Sequence, residues 1–440
     1  MPQSKEPLVK REGSSPERDA AEREREGEKG SSVPQSTFNL TNSVLGAGIL
    51  SLSYAMANAG LVIGSILMIL CLFLHRTSLR TIVSMSHVTG CNSYQQIVHT
   101  LFGHKAAAAI PPLSTSLYIG FCVAYWMIAG DYLSQVVPVL SLNVARILCT
   151  LPMLGLALLP SLERLSIVSL FAIVAAMGSV LFVAGSFVYT VLKGDIHPVW
   201  FPENIVSAIG QTLPLFAGAY GGEFIVVMLL ANLKGTPNSK LRQIRQVINV
   251  SLLCVIILNM MVSVSGSVMF GTETMPNILS NFPSTNILGS LVKCMMLIVM
   301  VCSFPLVMAI NVNGVEEMYG RPMSLRLRSI WVVVLTLGVA VIGSLVDSIT
   351  TVISLMSATS GSVVYFIIPG LMSCYLPTTK HDAPVLGKAS DPETQAEREA
   401  ERVENESFRQ AANAALAEAS MAEEQEMGRE SAVVGEAEEG

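Results

Sequence analysis

Apolar windows of about 20 residues, the length at which an α-helix crosses a bilayer, succeed one another from residue 38 to residue 376 of this chain. They fall near 38–57, 61–84, 109–136, 144–161, 165–191, 205–232, 245–270, 286–315, 329–347 and 350–376. In lipid a backbone must satisfy its own hydrogen bonds, which leaves helices or closed barrels. The pattern therefore predicts an all-α polytopic membrane protein with about ten transmembrane helices. The composition agrees, with 51% apolar and 14% charged residues, against roughly a quarter charged in soluble domains. The fourth window is short, and Pro152 and Pro160 interrupt it.

Three regions follow: a disordered N-terminal tail at 1–35, a transmembrane domain at 36–377, and an acidic tail at 378–440 that is partly helical or disordered. About 24 of the 33 acidic residues lie in the tails but only about 13 of the 27 basic ones, so the membrane unit is mildly basic. Residues 1–35 are charged throughout and lack the apolar stretch of a cleavable signal, so the first span is expected to act as signal anchor. Basic residues flank the even-numbered connections (Arg76, Arg80, Lys105; Arg164; Lys234, Lys240, Arg242, Arg245; Arg321, Arg326, Arg328). The odd ones carry little beyond Arg146 and Lys193. The positive-inside rule then puts the even connections and both termini in the cytoplasm. Most of the eight cysteines lie inside spans with no CxxC pair, and they read as small buried hydrophobes.

Two spans are written as no plain membrane anchor would be. The first, FNLTNSVLGAGILSLSYAMANAG, carries Asn39, Asn42 and Ser43 and then Gly46-Ala47-Gly48; each Gly costs about 1 kcal/mol of helix propensity against Ala. The sixth carries Pro214, Gly218, Gly221 and Gly222, with Glu223 directly after. Interrupted helices at matching positions of two halves point to two five-helix inverted repeats with broken first and sixth helices and a binding site between the breaks. Close small-residue helix packing is the other explanation for such glycines.

Backbone N–H groups freed at Gly46, Ala47 and Gly48, ahead of a helical N-terminus, suit a carboxylate. Carbonyls at Tyr220, Gly221 and Gly222 suit an ammonium, with Phe216 or Tyr220 walling a side-chain pocket and Gly218 opening the break. A zwitterion matches this pair. Asn42 and Ser303 offer hard oxygens for sodium, provided the fold joins the first and eighth spans; otherwise they are packing hydrogen bonders. An intramembrane carboxyl needs a partner or a water path, so Glu223 is either a proton-coupling group or a structural hydrogen bonder. Asp131 reads as solvated or gate-pairing, and Lys293 as snorkelling or paired with Asp131. The histidines sit mostly in connections and tails. No HExxH, GxSxG, Walker A or metal-spaced Cys/His set occurs, and the chain does not read as an enzyme.

The first-span run closely resembles that of the amino acid/auxin permease family, within the amino acid-polyamine-organocation superfamily, and above all its sodium-coupled neutral amino-acid transporter branch. Similar stretches are Ile128-Ala-Gly-Asp131, Thr212-Leu-Pro214 through Leu233, Ser303-Phe-Pro305-Leu306 and SLMSATSGSVVYFIIPGLMSCYL. The resemblance implies a two-repeat transporter fold, alternating access, and movement of an amino acid with Na+ or H+. It ties Asn42, and Ser303 in place of a Thr, to sodium. The sequence departs from that branch at Gly222-Glu223, where the branch has Cys-His, and after Pro305, where Ile310 and Asn311 lie near the place of an expected Arg. The family's eleventh span has no counterpart, since polar sequence follows Leu376.

The expectation is thus a secondary active transporter of small neutral amino acids, with no cofactor besides Na+ or H+ as coupling ion. Its partners are an amino-acid substrate, membrane lipid and a cytoplasmic partner of the acidic tail, with no nucleic acid. The membrane is the plasma membrane or the vacuolar or lysosomal one. The alternative is an amino-acid sensor or scaffold that signals through the tail without net transport.

Overall fold

The structure is a computed structural model that describes residues 30–45, 47–159, 166–283, 285–319 and 323–375. Gly46, Pro160, Arg164, Arg321, nearly all of the expected N-terminal tail and the whole of the expected C-terminal tail lie outside the described residues. Fourteen α-helices make up the described chain. The first span is α1 (Val33–Leu45), a 3₁₀ stretch at Ala47–Ser51 and α2 (Leu52–Ala59). Then come α3 (Leu61–Thr89), α4 (Tyr94–Ala108), α5 (Ile110–Val136), α6 (Leu142–Ala157) and α7 (Ser166–Lys193). The sixth span is α8 (Ile205–Gly218) and α9 (Glu223–Asn232), followed by α10 (Pro237–Phe270), α11 (Ile287–Tyr319) and α12 (Leu325–Leu345). The last span is α13 (Ile349–Met356), two π-helical turns at Ser357–Gly361 and Val363–Ile367, and α14 (Ile368–Ser373).

Among the described residues, 8 helices are long and apolar enough to cross a membrane, and 9 if the bent first pair counts as one span. The expected span outside this count is the fourth, α6, whose 16 residues reach only about 24 Å at 1.5 Å per residue, short of a hydrocarbon core of about 30 Å. A helix not expected from the sequence, α4, fills the second connection. Ser93 caps it by accepting from the Gln96 N–H at 3.2 Å.

In lipid, apolar side chains alone give helices no reason to associate, so close packing at small residues and buried polar bonds decide the contacts. Helix α3 turns Ile66, Ile69, Leu70, Phe73 and Leu74 outward and buries Leu67, Met68, Cys71, His75 and Leu79. Helix α5 is the centre of the bundle: α11 packs along it most extensively, and α6, α12 and α13 also lie against it. Gly120 admits Met356, Gly343 of α12 admits the Trp126 ring, and Gly314 of α11 admits Thr115. Helix α10 receives both halves of the first span, α1 and α2. There Ser53 donates to the Val262 carbonyl at 2.9 Å, and Ser251 donates to the Thr37 carbonyl at 3.0 Å.

The odd-numbered connections gather at one end. The Leu61 N–H donates to the Val199 carbonyl at 2.8 Å, and the His197 N–H donates to the Val268 carbonyl at 2.8 Å. Tyr132 donates to Asn277 Oδ1 at 3.0 Å, joining the third and seventh connections. Basic residues of α3 and α10 meet near the other end, where Arg76 and Arg80 donate to Asn249 Oδ1 and Arg245 donates to Ser84.

Packing at small residues makes a steric prediction. A side chain at Gly266 of α10 would collide with Ser53 and Ile278, whereas Gly210 of α8 faces open space. Gly266→Leu is expected to cost about 1–3 kcal/mol by overpacking and Gly210→Leu less than about 0.5 kcal/mol. Detergent-solubilised melting curves of the two variants check this, and equal melting temperatures would contradict it.

Candidate functional site

Both unusual spans are interrupted. Helix α1 and the rod from Gly48 to Ala59 meet at 46°. Ser51 Oγ donates to the Gly48 carbonyl at 2.9 Å, and a Cβ placed on Gly48 would meet nothing within 4 Å. That open space lies beside the backbone expected to receive a carboxylate, while Gly46 itself is outside the described residues.

At the second break α8 ends at Gly218 and α9 begins at Glu223. The Ala219 and Tyr220 N–H groups fold back onto the Phe216 and Ala217 carbonyls at 3.2 and 3.4 Å. The Gly222 carbonyl accepts from the Val226 N–H and starts the new helix. The carbonyls of Tyr220 and Gly221 accept no hydrogen bond from a described residue. The three glycines are crowded: a Cβ would lie 2.5 Å from Ser357 Oγ at Gly218, 2.7 Å from the Tyr365 hydroxyl at Gly221, and 3.2 Å from both Leu40 and Val44 at Gly222. The π-helical turns of the last span and the first half-helix therefore press directly on this break. Phe216 and Tyr220 are fully buried.

Glu223 is the pivot of the site. Its Oε2 accepts the Gly222 N–H at 2.8 Å, and its Oε1 meets His75 Nδ1 at 2.9 Å. Both side chains are 0% exposed. The acidic group sits in the first turn of α9, where the helix dipole favours it. The His75 ring lies among Tyr220, Tyr365 and Phe366, at centroid distances of 5.8, 5.2 and 4.9 Å. The phenols of Tyr94, Tyr118 and Tyr365 are within electrostatic range of Glu223. Near this pair His75 Nε2 is buried without a hydrogen-bond partner, and the buried Tyr220 hydroxyl faces the buried Asn259 amide without a well-formed hydrogen bond to it. Buried polar atoms of this kind mark places where water or a ligand completes the network.

Asn42 is half-buried on α1 and Ser303 half-buried on α11, and neither side chain makes a hydrogen bond with a described residue. Amide and hydroxyl oxygens suit a hard cation. However, α1 packs mainly on α10, whereas α11 packs on α5, α6 and α7.

Three residues stand differently from the sequence reading. His75, given no role from the sequence, is mid-helix, buried and paired with Glu223. Asp131 pairs with Arg146 at 3.2 Å, not with Lys293. Lys293 is 1% exposed and neither snorkels nor meets a carboxylate; its ammonium donates to the Phe282 carbonyl at 2.6 Å. His75 was findable, since an ionisable side chain inside a predicted span carries the same demand for a partner as Glu223.

The family model for "Transmembrane amino acid transporter protein" matches residues 29–384. The chain therefore belongs to this family of membrane transporters, which is not a family of enzymes. It is 26% identical over 378 residues to "Amino acid transporter AVT6E" of Arabidopsis thaliana, covering 79% of this chain and 77% of the relative. It is 23% identical over 361 residues to "Putative sodium-coupled neutral amino acid transporter 11" of Mus musculus, covering 79% and 78%. Its fold is shared with MHP1, a nucleobase-cation-symport-1 family transporter in a closed conformation with bromovinylhydantoin bound, at a TM-score of 0.54 and 12% identity over 78% of each chain.

Removing one member of a buried polar pair leaves the other unpaired, which costs about 3–5 kcal/mol when the pair is ionic. His75→Ala and Glu223→Ala are each expected to lower the melting temperature sharply, and the double variant to fall well short of the sum of the two losses. A double-mutant cycle on thermal stability checks the coupling, and additive losses would contradict it.

Proposed function

We propose that this chain is a secondary active transporter of small neutral amino acids that works by alternating access. In this reading the two interrupted spans belong to two five-helix inverted repeats and hold the substrate between them. The substrate carboxylate lies at Gly46, Ala47 and Gly48, where Gly48 borders open space. The ammonium lies at the unengaged carbonyls of Tyr220 and Gly221. Phe216, Tyr220 and the crowded Gly218 and Gly222 set the walls, leaving room for a small side chain only. Family membership and the two amino-acid transporters to which the chain is similar support the substrate class.

The observation that carries the mechanism is the buried His75–Glu223 pair at the start of α9. A carboxyl and an imidazole joined by one hydrogen bond, shut away from solvent and placed at a helix break, form a group that can take up and release a proton as the break moves. Proton coupling at Glu223 is the reading this geometry favours. Sodium coupling through Asn42 and Ser303 is the second reading. It is favoured by the free oxygens of both side chains and by the sodium-coupled name of the mouse relative. In this reading both termini are cytoplasmic, and the membrane is the plasma membrane or a vacuolar or lysosomal one. The sensor alternative drew on the C-terminal tail, which lies outside the described residues, and no observation favours it.

Uptake of a radiolabelled amino-acid panel into proteoliposomes, with proton and sodium gradients imposed separately, tests the proposal. Accumulation of small neutral amino acids under one gradient is expected; no uptake of any amino acid under either gradient would refute transport. Under the proton reading, Glu223→Gln abolishes gradient-driven accumulation but keeps exchange of labelled for unlabelled substrate. If Glu223→Gln still accumulates substrate while Asn42→Ala and Ser303→Ala lose sodium dependence, the coupling ion is sodium.

A further inference from the structure

Three guanidinium groups converge where α3 meets α10. Arg76 Nε and Arg80 Nη2 donate to Asn249 Oδ1 at 3.0 and 3.2 Å, and Arg245 Nη2 donates to Ser84 Oγ at 3.3 Å. Arg76 and Arg245 both lie within electrostatic range of Arg80. None of the three meets a carboxylate among the described residues, where the arginine ion pairs are Asp131–Arg146 and Glu316–Arg328. Like charges gathered without a counter-charge repel one another, so the cluster is unbalanced as it stands.

Their spare donors are open to the surface. A guanidinium carries five N–H groups, and each of these three commits one nitrogen to the bonds above. Of the remaining nitrogens only Arg80 Nε is buried without a partner, and the others keep accessible surface. The depth of the cluster follows from helix rise. Arg80 lies about 28 Å along α3 from Leu61, and Asn249 about 32 Å along α10 from Phe270, at 1.5 Å per residue. A hydrocarbon core is about 30 Å thick, so the cluster stands where hydrocarbon gives way to headgroups, at the end that the positive-inside reading puts in the cytoplasm. Arg76, one turn deeper, shares the same amide oxygen. Toward the membrane interior both helices turn apolar side chains outward, Leu70, Phe73 and Leu74 on α3 and Val250, Leu253 and Ile257 on α10.

A soluble anion would meet the charges and leave the adjoining apolar surface unused. A phospholipid uses both. Guanidinium forks match phosphate oxygens, and basic clusters between transmembrane helices on the cytoplasmic side suit anionic headgroups. We propose that Arg76, Arg80 and Arg245 bind the phosphate of an anionic phospholipid, whose acyl chains lie along the exposed apolar side chains of α3 and α10. The headgroup supplies the counter-charge that the cluster lacks and braces α3 against α10. Arg76 follows His75 in the chain, so the braced part of α3 is the part that holds Glu223.

Thermal unfolding of the full chain is compared in nanodiscs of phosphatidylcholine alone and of phosphatidylcholine with a minor share of phosphatidic acid. Phosphatidic acid is expected to raise the melting temperature by about 4 °C or more. Arg80→Gln/Arg245→Gln should lose most of that rise, whereas Arg326→Gln, an exposed position of α12 outside the cluster, should keep it. Asn249→Asp retains the acceptor and adds the carboxylate that the cluster lacks. It should be at least as stable as wild-type protein in phosphatidylcholine and show no rise, which separates loss of the site from loss of the fold. No rise in wild-type protein, a rise kept by both cluster variants, or one lost equally in Arg326→Gln would overturn the proposal. Inorganic phosphate added to phosphatidylcholine discs should change nothing; an equal rise would assign the cluster to free phosphate and overturn the lipid. A synthetic peptide of residues 393–406, acidic in sequence, is added in the same way, and a rise with it alone would overturn the lipid in favour of the chain's own tail.

Discussion

A peptide group in lipid has no water to turn to, and each place where this chain leaves the helix has to answer that demand from within. At the second break the answer is one carboxyl. Glu223 accepts the Gly222 N–H with one oxygen and meets His75 with the other, so the start of α9 is tied to the middle of α3 through a single side chain. The local cap and the contact between helices are the same interaction. Anything that alters the protonation or position of Glu223 acts at once on the break and on the second span.

The surroundings explain why glycines are needed there. Ser357 and Tyr365 of the last span and Leu40 and Val44 of the first half-helix occupy the directions in which side chains at Gly218, Gly221 and Gly222 would project. The π-helical turns at Ser357–Gly361 and Val363–Ile367 carry these contacts, and within them the Ser362 hydroxyl donates to the Ser357 carbonyl at 3.0 Å. Such turns recur at functional sites because they re-aim side chains within an otherwise continuous helix. The first break differs, with open space beside Gly48. The second interruption is packed against neighbouring spans, whereas Gly48 borders open space.

The long apolar windows made most of the spans legible in the sequence, because helix length in lipid is set by bilayer thickness and by little else. The ends of the interruption in α8 and α9 were legible too, from Gly218 and Glu223. What could not be read was anything set by packing between distant spans. Asp131 and Lys293 looked like partners because they are opposite charges expected toward the same end. The fold instead gives Asp131 the nearer Arg146 and buries the Lys293 ammonium against the Phe282 carbonyl. The π-helical turns leave no mark in a hydropathy pattern of period 3.6. Helix α4 was hidden because its fifteen residues mix polar and apolar side chains in what reads as a connection.

Among the described residues, the polar pairs Asp131–Arg146 and His75–Glu223 differ in a way that bears on how coupling could work. Asp131 keeps 29% of its side chain exposed beside an Arg146 side chain that is 11% exposed, so water still reaches one partner of that pair. His75 and Glu223 are fully buried, and separating them without compensation leaves polar groups unpaired in a low-dielectric interior, at a cost of several kcal/mol. A transport cycle needs a step that is unfavourable unless the right ligand and the right ion are both present, because a ligand shifts a conformational equilibrium only by its differential affinity for the two states. A tight pair at a moving break can impose such a condition and a loose pair cannot. If α9 moves relative to α3, the lost interaction must be replaced by a proton on one partner or by a new contact to substrate. That requirement makes the coupling between ion and substrate reciprocal.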